Sequence, residues 1–280
     1  MKKFLNPSKN LEDKNIKNIF IVIGIIILIT TLAFLIMDAI VKLPNEIEKT
    51  FSGTYVSFKH ILKGFSLITY FTNQSNIILA LAFLVLGIWP NKKVARNFFF
   101  SSIVWISITF VIYWVLISWN TSAWSHVAAA FESIFLHLIH PVIGFLALIV
   151  FRREFIVSQQ LYLKLSLYIF GYFFALLILY FSTYKLYTYP EGKHYPSGQT
   201  IYDGAVVYNF INFKRPFFYN GSNLALIIIL DILIFLIAFL IPISVSLFWQ
   251  IVLKLQVDKS ASFKQLFNKF KKIGNKSNNE

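Results

Sequence analysis

Two short stretches of the chain place polar side chains within long apolar segments. Residues 70–76 contain Thr72, and residues 137–141 contain His137 and His140. A threonine hydroxyl becomes a nucleophile when a base such as a neutral imidazole takes its proton. Polar groups are costly in hydrocarbon, so they are usually buried against protein and often have a function. The two stretches therefore predict a polar functional site within a membrane, in which a threonine near a histidine is a candidate nucleophile–base pair.

The first stretch places three polar side chains on one face of a helix. Thr72, Ser75 and Asn76 stand at positions i, i+3 and i+4. Asn76 lies one turn from Thr72, so its amide could donate to a developing oxyanion, an interaction often worth ~3 kcal/mol in enzymes. The alternative is that the threonine bonds its own helix and that the asparagine only joins helices.

The second stretch gives a similar stripe, formed by Ser133, His137, His140 and Gly144. Pro141 has no N–H, so the carbonyl of His137 loses its helical donor and becomes a free acceptor beside the imidazole. Gly144 allows a neighbouring helix to approach closely. Spacing alone leaves open which of the two histidines is the base.

Six apolar runs must position these side chains. The chain has 280 residues, 57% of them hydrophobic and 14% charged, whereas soluble domains carry about 25% charged residues. The runs, each long enough to cross a hydrocarbon core of ~30 Å, are 18–41, 65–89, 97–119, 130–151, 165–186 and 222–249. Strand-like alternation is absent, and backbone groups in lipid must pair internally. We therefore expect an all-α polytopic membrane protein, with a six-transmembrane-helix bundle over residues 1–253.

The basic residues predict the orientation. The net charge is +14, and 18 of the 26 basic residues fall in residues 1–18, 90–96, 152–164 and the tail from residue 254. Because cytoplasmic loops are enriched in Lys and Arg, we expect a multi-pass protein of the cell membrane with both termini cytoplasmic. The charge is explained by topology, so no nucleic-acid partner is predicted.

The tail, residues 254–280, is predicted to be a cytoplasmic basic amphipathic segment. Phe263, Leu266, Phe267 and Phe270 recur at helical spacing among lysines. Such a helix suits anionic lipid of the inner leaflet.

With the amino terminus inside, the polar residues fall in the outer half of the spans. Thr72 and His137 lie roughly 10 Å below the outer edge, while Tyr113 and Asp231 belong to spans three and six. The inner half is nearly all Leu, Ile, Phe and Val, which argues against a continuous ion path. The predicted substrate-binding side chains are Ser75, Asn76, Tyr113 and Asp231.

Cofactor chemistry finds no support in the sequence. The chain has no cysteine, which excludes disulfides, thiolate nucleophiles and cysteine-ligated metals. It has no P-loop, dinucleotide fingerprint or zinc spacing. No cofactor and no metal site are predicted.

The same residues resemble the androgen-induced-protein family of integral membrane hydrolases and its bacterial six-span relatives. Residues 70–76, Tyr-Phe-Thr-Asn-Gln-Ser-Asn, are similar to the family's aromatic-Phe-Thr-x-x-(Ser)-Asn stretch. Residues 136–141, Leu-His-Leu-Ile-His-Pro, are similar to the bacterial Leu-His-x-x-x-Pro stretch. The span layout agrees over most of the chain, but the motifs cover only these short stretches.

The resemblance implies a threonine-dependent hydrolase of fatty-acid esters. Thr72 matches the nucleophile, and His137 matches the histidine by its spacing to Pro141, with His140 as the rival assignment. Ala147 stands where the bacterial pattern has an acidic residue, so support of the imidazole by that carboxylate is missing.

Two other interpretations stay open. The same outward cavity could bind or transport a lipid or small molecule without catalysis, or the polar residues could only hold helices together. A polar route to the inner half would favour transport. Direct mutual hydrogen bonding of all polar groups, with no cavity, would favour a structural role. The substrate and the oligomeric state are not predicted.

Overall fold

A computed structural model describes residues 11–42, 56–57, 63–120, 124, 126–186 and 202–258. In this part of the chain, six helices are long and apolar enough to cross a membrane. In chain order they are Lys14–Ile40, Phe71–Ile88, Lys93–Ile117, Val127–Val150, Gln159–Ser182 and Leu224–Leu253, called spans one to six below. The predicted all-α, multi-pass membrane fold is therefore confirmed.

Spans one, three and four combine α-helix with π-helical turns. The α-helical parts are Lys14–Met37, Lys93–Ile112, Val127–Ile134 and His140–Val150. The π-turns are Asp38–Lys42, Tyr113–Ile117 and Phe135–Ile139. Such turns are rare and frequently lie at functional sites. Those of spans three and four contain Tyr113 and His137, which the sequence marks as candidate site residues.

Short elements connect the spans. Strand β1, Val56–Ser57, pairs in parallel with β3, Ala205–Val206, and β2, Ile156–Val157, pairs in parallel with β4, Gln256–Val257. A four-residue helix, Ser66–Thr69, precedes span two. The 3₁₀ turns are Lys63–Phe65, Ser118–Asn120, Arg152–Glu154, Asn209–Ile211 and Pro216–Phe218.

The chain divides into two compact units. The first unit consists of Met1–Leu28, Ser75–Leu167 and Ile241–Glu280, and the second of Ile29–Gln74 and Tyr168–Leu240.

An aromatic cluster forms the core of the first unit. The fully buried ring of Phe99 lies 5.0 Å from that of Phe83, 5.9 Å from Phe20 and 5.6 Å from Phe155. Phe151 contacts Phe20 at 5.3 Å. These rings join spans one, two and three to the turn after span four.

Gly144 allows close helix approach in the first unit, as predicted. A Cβ atom at this position would lie 2.9 Å from Cδ1 of Ile103 and 3.2 Å from Cδ1 of Leu79. Side chains of spans two and three therefore occupy the space that a larger residue would fill.

A buried carboxylate organises the second unit. Asp203 is 2% exposed and accepts hydrogen bonds from the Tyr180 hydroxyl, the Gly204 N–H and the Asn212 side chain. The core beside it consists of Leu176, Tyr180, Val206, Ile211 and Phe213. The carboxylate thus fastens the segment before span six to the end of span five.

The predicted tail is described only at its beginning. Lys254 adopts a left-handed backbone, with φ of 53°, and the chain then forms β4. The predicted amphipathic helix of Phe263, Leu266, Phe267 and Phe270 lies outside the described residues.

Candidate functional site

The π-turn of span four leaves two carbonyls without their helical donors. The N–H of His140 bonds to the carbonyl of Phe135, five residues earlier. Pro141 has no N–H to offer, either to the Leu136 carbonyl in the π-helical pattern or to the His137 carbonyl in the α-helical pattern. Both acceptors must find other donors if they are buried.

Side chains of two other spans supply those donors. Nδ2 of Asn76 in span two donates to the Leu136 carbonyl at 3.1 Å. Nε1 of Trp114 in span three donates to the His137 carbonyl at 2.9 Å. The carbonyl that Pro141 was predicted to free is therefore bonded to an indole.

Asn76 also determines the tautomer of His140. Because the Asn76 amide nitrogen faces a carbonyl, its Oδ1 is the atom that lies 2.9 Å from Nδ1 of His140. An amide oxygen only accepts, so Nδ1 carries the hydrogen and, in the neutral imidazole, Nε2 is the basic nitrogen. Asn76 and His140 are 0% and 1% exposed, so this bond is protected from water.

His137 faces span three. Its Nδ1 lies 3.1 Å from the carbonyl of Ser133, one turn earlier in the same span, which again makes Nδ1 the donor. The imidazole stacks on the Tyr113 ring, with centroids 3.6 Å apart and planes 15° apart. Tyr113 is 3% exposed, and its hydroxyl has no hydrogen-bond partner within the described residues. A buried phenol oxygen beside an imidazole is a place where a ligand oxygen could bind.

Ser75 joins spans two and three. Its hydroxyl lies 2.7 Å from that of Thr109, and both residues are buried. The polar cluster of the first unit thus links spans two, three and four, and consists of Ser75, Asn76, Thr109, Tyr113, Trp114, Ser133, His137 and His140.

Thr72 belongs to the second unit, where its partner is a tyrosine. The phenol oxygen of Tyr208 accepts from the Phe71 N–H at 2.8 Å and is also hydrogen-bonded by the Thr72 hydroxyl. Burial raises the pKa of Tyr208 above its ordinary value, so this phenol stays protonated at neutral pH. The Tyr208 hydroxyl also interacts with that of Tyr172, which donates to the carbonyl of Thr69 at 2.7 Å.

Two amides fix the beginning of span two, where Thr72 lies. Nδ2 of Asn73 donates to the Leu67 carbonyl at 2.8 Å, and Nε2 of Gln74 donates to the Ile68 carbonyl at 2.9 Å. These bonds tie the first turn of span two to the preceding short helix, so Thr72 stands on a constrained backbone.

Asp231 lies in span six within the second unit. The residue is half-buried, and its Oδ1 is buried with no hydrogen-bond partner in the described part of the chain. Among the described residues, no group of three or more His, Cys, Asp or Glu could hold a metal ion.

Four residues of these networks were not predicted from the sequence, namely Thr109, Trp114, Tyr172 and Tyr208. Thr109 stands one turn before Tyr113, so helical spacing could have indicated it. The sequence does not distinguish Trp114 from a tryptophan that lies at the membrane interface. Tyr208 lies in a connection between spans, where no periodic pattern marks it. Their roles depend on tertiary contacts, which no local pattern encodes.

No protein-family model, no curated protein and no solved structure matches this chain. The resemblance to the androgen-induced-protein family therefore stays a prediction from residues 70–76 and 136–141.

Proposed function

We propose that this protein is an intramembrane enzyme that hydrolyses or transfers the acyl group of a lipid ester, with Thr72 as nucleophile and a histidine as general base. The observation that supports it is the buried hydrogen bond from Nδ1 of His140 to Oδ1 of Asn76. A general base needs a fixed ring and a fixed tautomer, and catalytic histidines are held by an oriented partner on Nδ1. In His140 this bond holds the ring and leaves Nε2 as the basic nitrogen.

The resemblance indicates His137 as the base and His140 as the rival, but we prefer His140 for a geometric reason. Its partner Asn76 comes from another span, so the ring is held across a helix–helix interface. His137 bonds a carbonyl of its own span and stacks on Tyr113, an arrangement that suits shaping the site. The pairing of Thr72 with a histidine comes from the sequence, and the experiment below tests it.

The reaction would proceed in two balanced steps. The Thr72 hydroxyl attacks the ester carbonyl carbon while its proton passes to Nε2, and the departing alcohol takes that proton as the acyl–oxygen bond breaks. Water then attacks the acyl-threonine with the same base, or a second alcohol does so in acyl transfer. Tyr208 holds the threonine hydroxyl before reaction and, being protonated, does not compete as a base.

The proposed substrates are membrane lipids, reached from the outer leaflet of the cell membrane. This placement depends on the predicted orientation with both termini cytoplasmic. A carboxy-terminal alkaline phosphatase fusion that is active outside the cell would contradict that orientation.

The test is covalent labelling by a fluorophosphonate probe. Full-length protein in a native-like bilayer should be labelled, Thr72→Ala should not, and Thr72→Ser should retain part of the labelling because only the hydroxyl is required. Thr31→Ala is the matched control, since Thr31 is a fully buried threonine of span one, and it should be labelled like the wild type.

Each variant must first show the wild-type melting temperature. Undiminished labelling of Thr72→Ala would remove this residue from the proposal. A folded wild type that takes up no probe and hydrolyses no fatty-acid ester would favour the second candidate below.

The second candidate is a non-catalytic protein that binds or transports a lipid or small molecule. The buried Tyr113 hydroxyl favours it, because this oxygen has no partner among the described residues and lies beside the His137 ring. Such a phenol can bond a ligand carbonyl or hydroxyl. Tyr113→Phe should then weaken retention of the bound lipid while the melting temperature of the lipid-free protein stays unchanged.

A further inference from the structure

A cleft of about 500 Å³ lies in the first unit where several spans end. This volume falls in the range of ~300–1,000 Å³ that small-molecule sites occupy. One side is built by strands β2 and β4, which bring the turn after span four beside the end of span six. Its polar lining includes Asn91, Lys93, Arg96, Glu154, Gln256 and Asp258.

One end of the cleft suits a phosphate. The helix Lys93–Ile112 begins there, and its N-cap residue Lys92 makes no side-chain cap, so the positive end of the helix dipole lies at this end of the cleft without a capping side chain. Arg96 donates to the Pro90 carbonyl at 2.7 Å and to the Glu154 carbonyl at 2.9 Å. These bonds fix the guanidinium and leave further N–H donors for a ligand.

The other end suits an ammonium group. Asp258 lies 2.7 Å from Nζ of Lys93, and Glu154 lies 3.4 Å from Nη2 of Arg96. A purely anionic ligand would compete with these two carboxylates for the Lys93 ammonium and the Arg96 guanidinium. A ligand with both charges satisfies the whole lining, because the Lys93 side chain is 65% exposed and can turn to a phosphate while an ammonium replaces it on Asp258.

We propose that this cleft binds the headgroup of a phospholipid that carries a primary amine, with the phosphate at Arg96 and the first turn of span three and the ammonium at Asp258. The source is a membrane lipid because the cleft lies at the ends of membrane-spanning helices, where headgroups are found. Ile156 in its lining is 47% exposed and offers an apolar surface to the adjoining acyl chain. A primary ammonium has N–H donors for the carboxylates, whereas a trimethylated one has none.

The experiment measures lipid binding to purified full-length protein by native mass spectrometry. Phosphatidylethanolamine, phosphatidylcholine and phosphatidylglycerol with the same acyl chains are compared. We expect an affinity about tenfold higher for phosphatidylethanolamine than for the other two, as one charge-assisted hydrogen bond provides. Asp258→Asn should abolish this preference. Lys93→Gln should lower the affinity for all three lipids, because it removes a cation that contacts the phosphate.

Arg153→Gln is the matched control, because Arg153 is an exposed cation next to Glu154 that does not line the cleft. It should bind the three lipids like the wild type. Soluble glycerophosphoethanolamine should displace phosphatidylethanolamine, and inorganic phosphate at the same concentration should not. If Asp258→Asn lowers the melting temperature, the comparison of the three lipids on the wild type still tests the proposal.

Three results would overturn the proposal. They are equal affinity of the wild type for the three lipids, an unchanged preference in folded Asp258→Asn, and displacement by inorganic phosphate as effective as by the soluble headgroup. The last result would assign a general phosphate site in place of a lipid site.

Discussion

Nδ1 of His140 donates to Oδ1 of Asn76 across 2.9 Å between spans four and two. The same asparagine satisfies the Leu136 carbonyl, which the π-turn and Pro141 leave without a backbone donor. The Asn76 amide therefore supplies the donor that the irregular helix lacks, and it determines which nitrogen of the His140 imidazole is basic. Structure and chemistry at this point are coupled through a single side chain.

Asn76→Ala should reduce the free energy of unfolding by about 1–3 kcal/mol, because it leaves two buried polar groups without partners. The measurement is unfolding in mixed detergent–SDS micelles, followed by tryptophan fluorescence. A double-mutant cycle with His140→Phe should give a coupling energy near ~1 kcal/mol. Strict additivity of the two single variants would mean that the Asn76–His140 bond contributes nothing.

Ester hydrolysis should depend more on His140 than on His137. His140→Ala should be as damaging as Thr72→Ala, and the double variant little worse than either, because nucleophile and base act as one unit. Asn76→Ala should lower kcat more than it raises KM, since it disturbs the orientation of the base. Steady-state kinetics on a fatty-acid ester measure these four variants and His137→Ala. If His137→Ala were the more damaging histidine variant, the role of base would belong to His137.

Trp114→Phe should destabilise the protein by about 0.5–2 kcal/mol, because the His137 carbonyl then lacks its donor. The cost should shrink in the background of Pro141→Ala, which restores an N–H at the position one turn later. The comparison needs the melting temperatures of both single variants and the double variant. Trp124→Phe is the control, since Trp124 donates to Ser118, outside span four. An equal cost with and without Pro141 would contradict this account of the turn.

Asp203→Ala should be among the most destabilising single changes in the second unit, at about 2–4 kcal/mol, because three donors lose a buried carboxylate. Tyr180→Phe removes only one of those donors and should cost less. Limited proteolysis of the connection before span six should show the same order. A neutral effect of Asp203→Ala on both readouts would mean that the carboxylate does not fasten this connection.

Glycines at two helix contacts should respond differently to alanine. Gly24→Ala should destabilise by about 1–2 kcal/mol, because its Cβ would lie 2.9 Å from the Ala80 carbonyl oxygen, which is backbone and cannot move aside. Gly144→Ala meets the ends of flexible side chains, so the gain in helix propensity of ~1 kcal/mol should offset most of the strain. Melting temperatures of the two variants test this prediction. A lower melting temperature for Gly144→Ala than for Gly24→Ala would contradict it.

The spans could be predicted from the sequence because apolar length is a direct requirement of the bilayer. Span five shows the limit of that signal. Its predicted run is 165–186, whereas the helix is Gln159–Ser182. Hydropathy marks the stretch that suits hydrocarbon, while the helix itself extends through Lys164 to Gln159. It ends before a turn in which Lys185 has a φ of 62°.

The candidate site could be predicted only as a set of residue types. Asn76, His137 and His140 were identified as polar groups in apolar segments, and the free carbonyl at His137 followed from Pro141. The donors to that region come from other spans, and helix neighbours are not encoded in local spacing. The predicted stripe of span four is accordingly divided, with His140 bonded to span two and His137 stacked on span three.

The π-turn Phe135–Ile139 holds one residue more than the α-helical turn that it replaces. Each residue of an α-helix adds a rotation of about 100°, since a turn takes 3.6 residues. Removing the extra residue from this turn would therefore rotate the helical segment Val127–Ile134 relative to the segment His140–Val150. His137 lies within the turn and His140 directly follows it, so the angle between the two imidazoles depends on the turn. Asn76 and Trp114 hold the two carbonyls that the turn exposes, and they thereby fix this angle from outside span four.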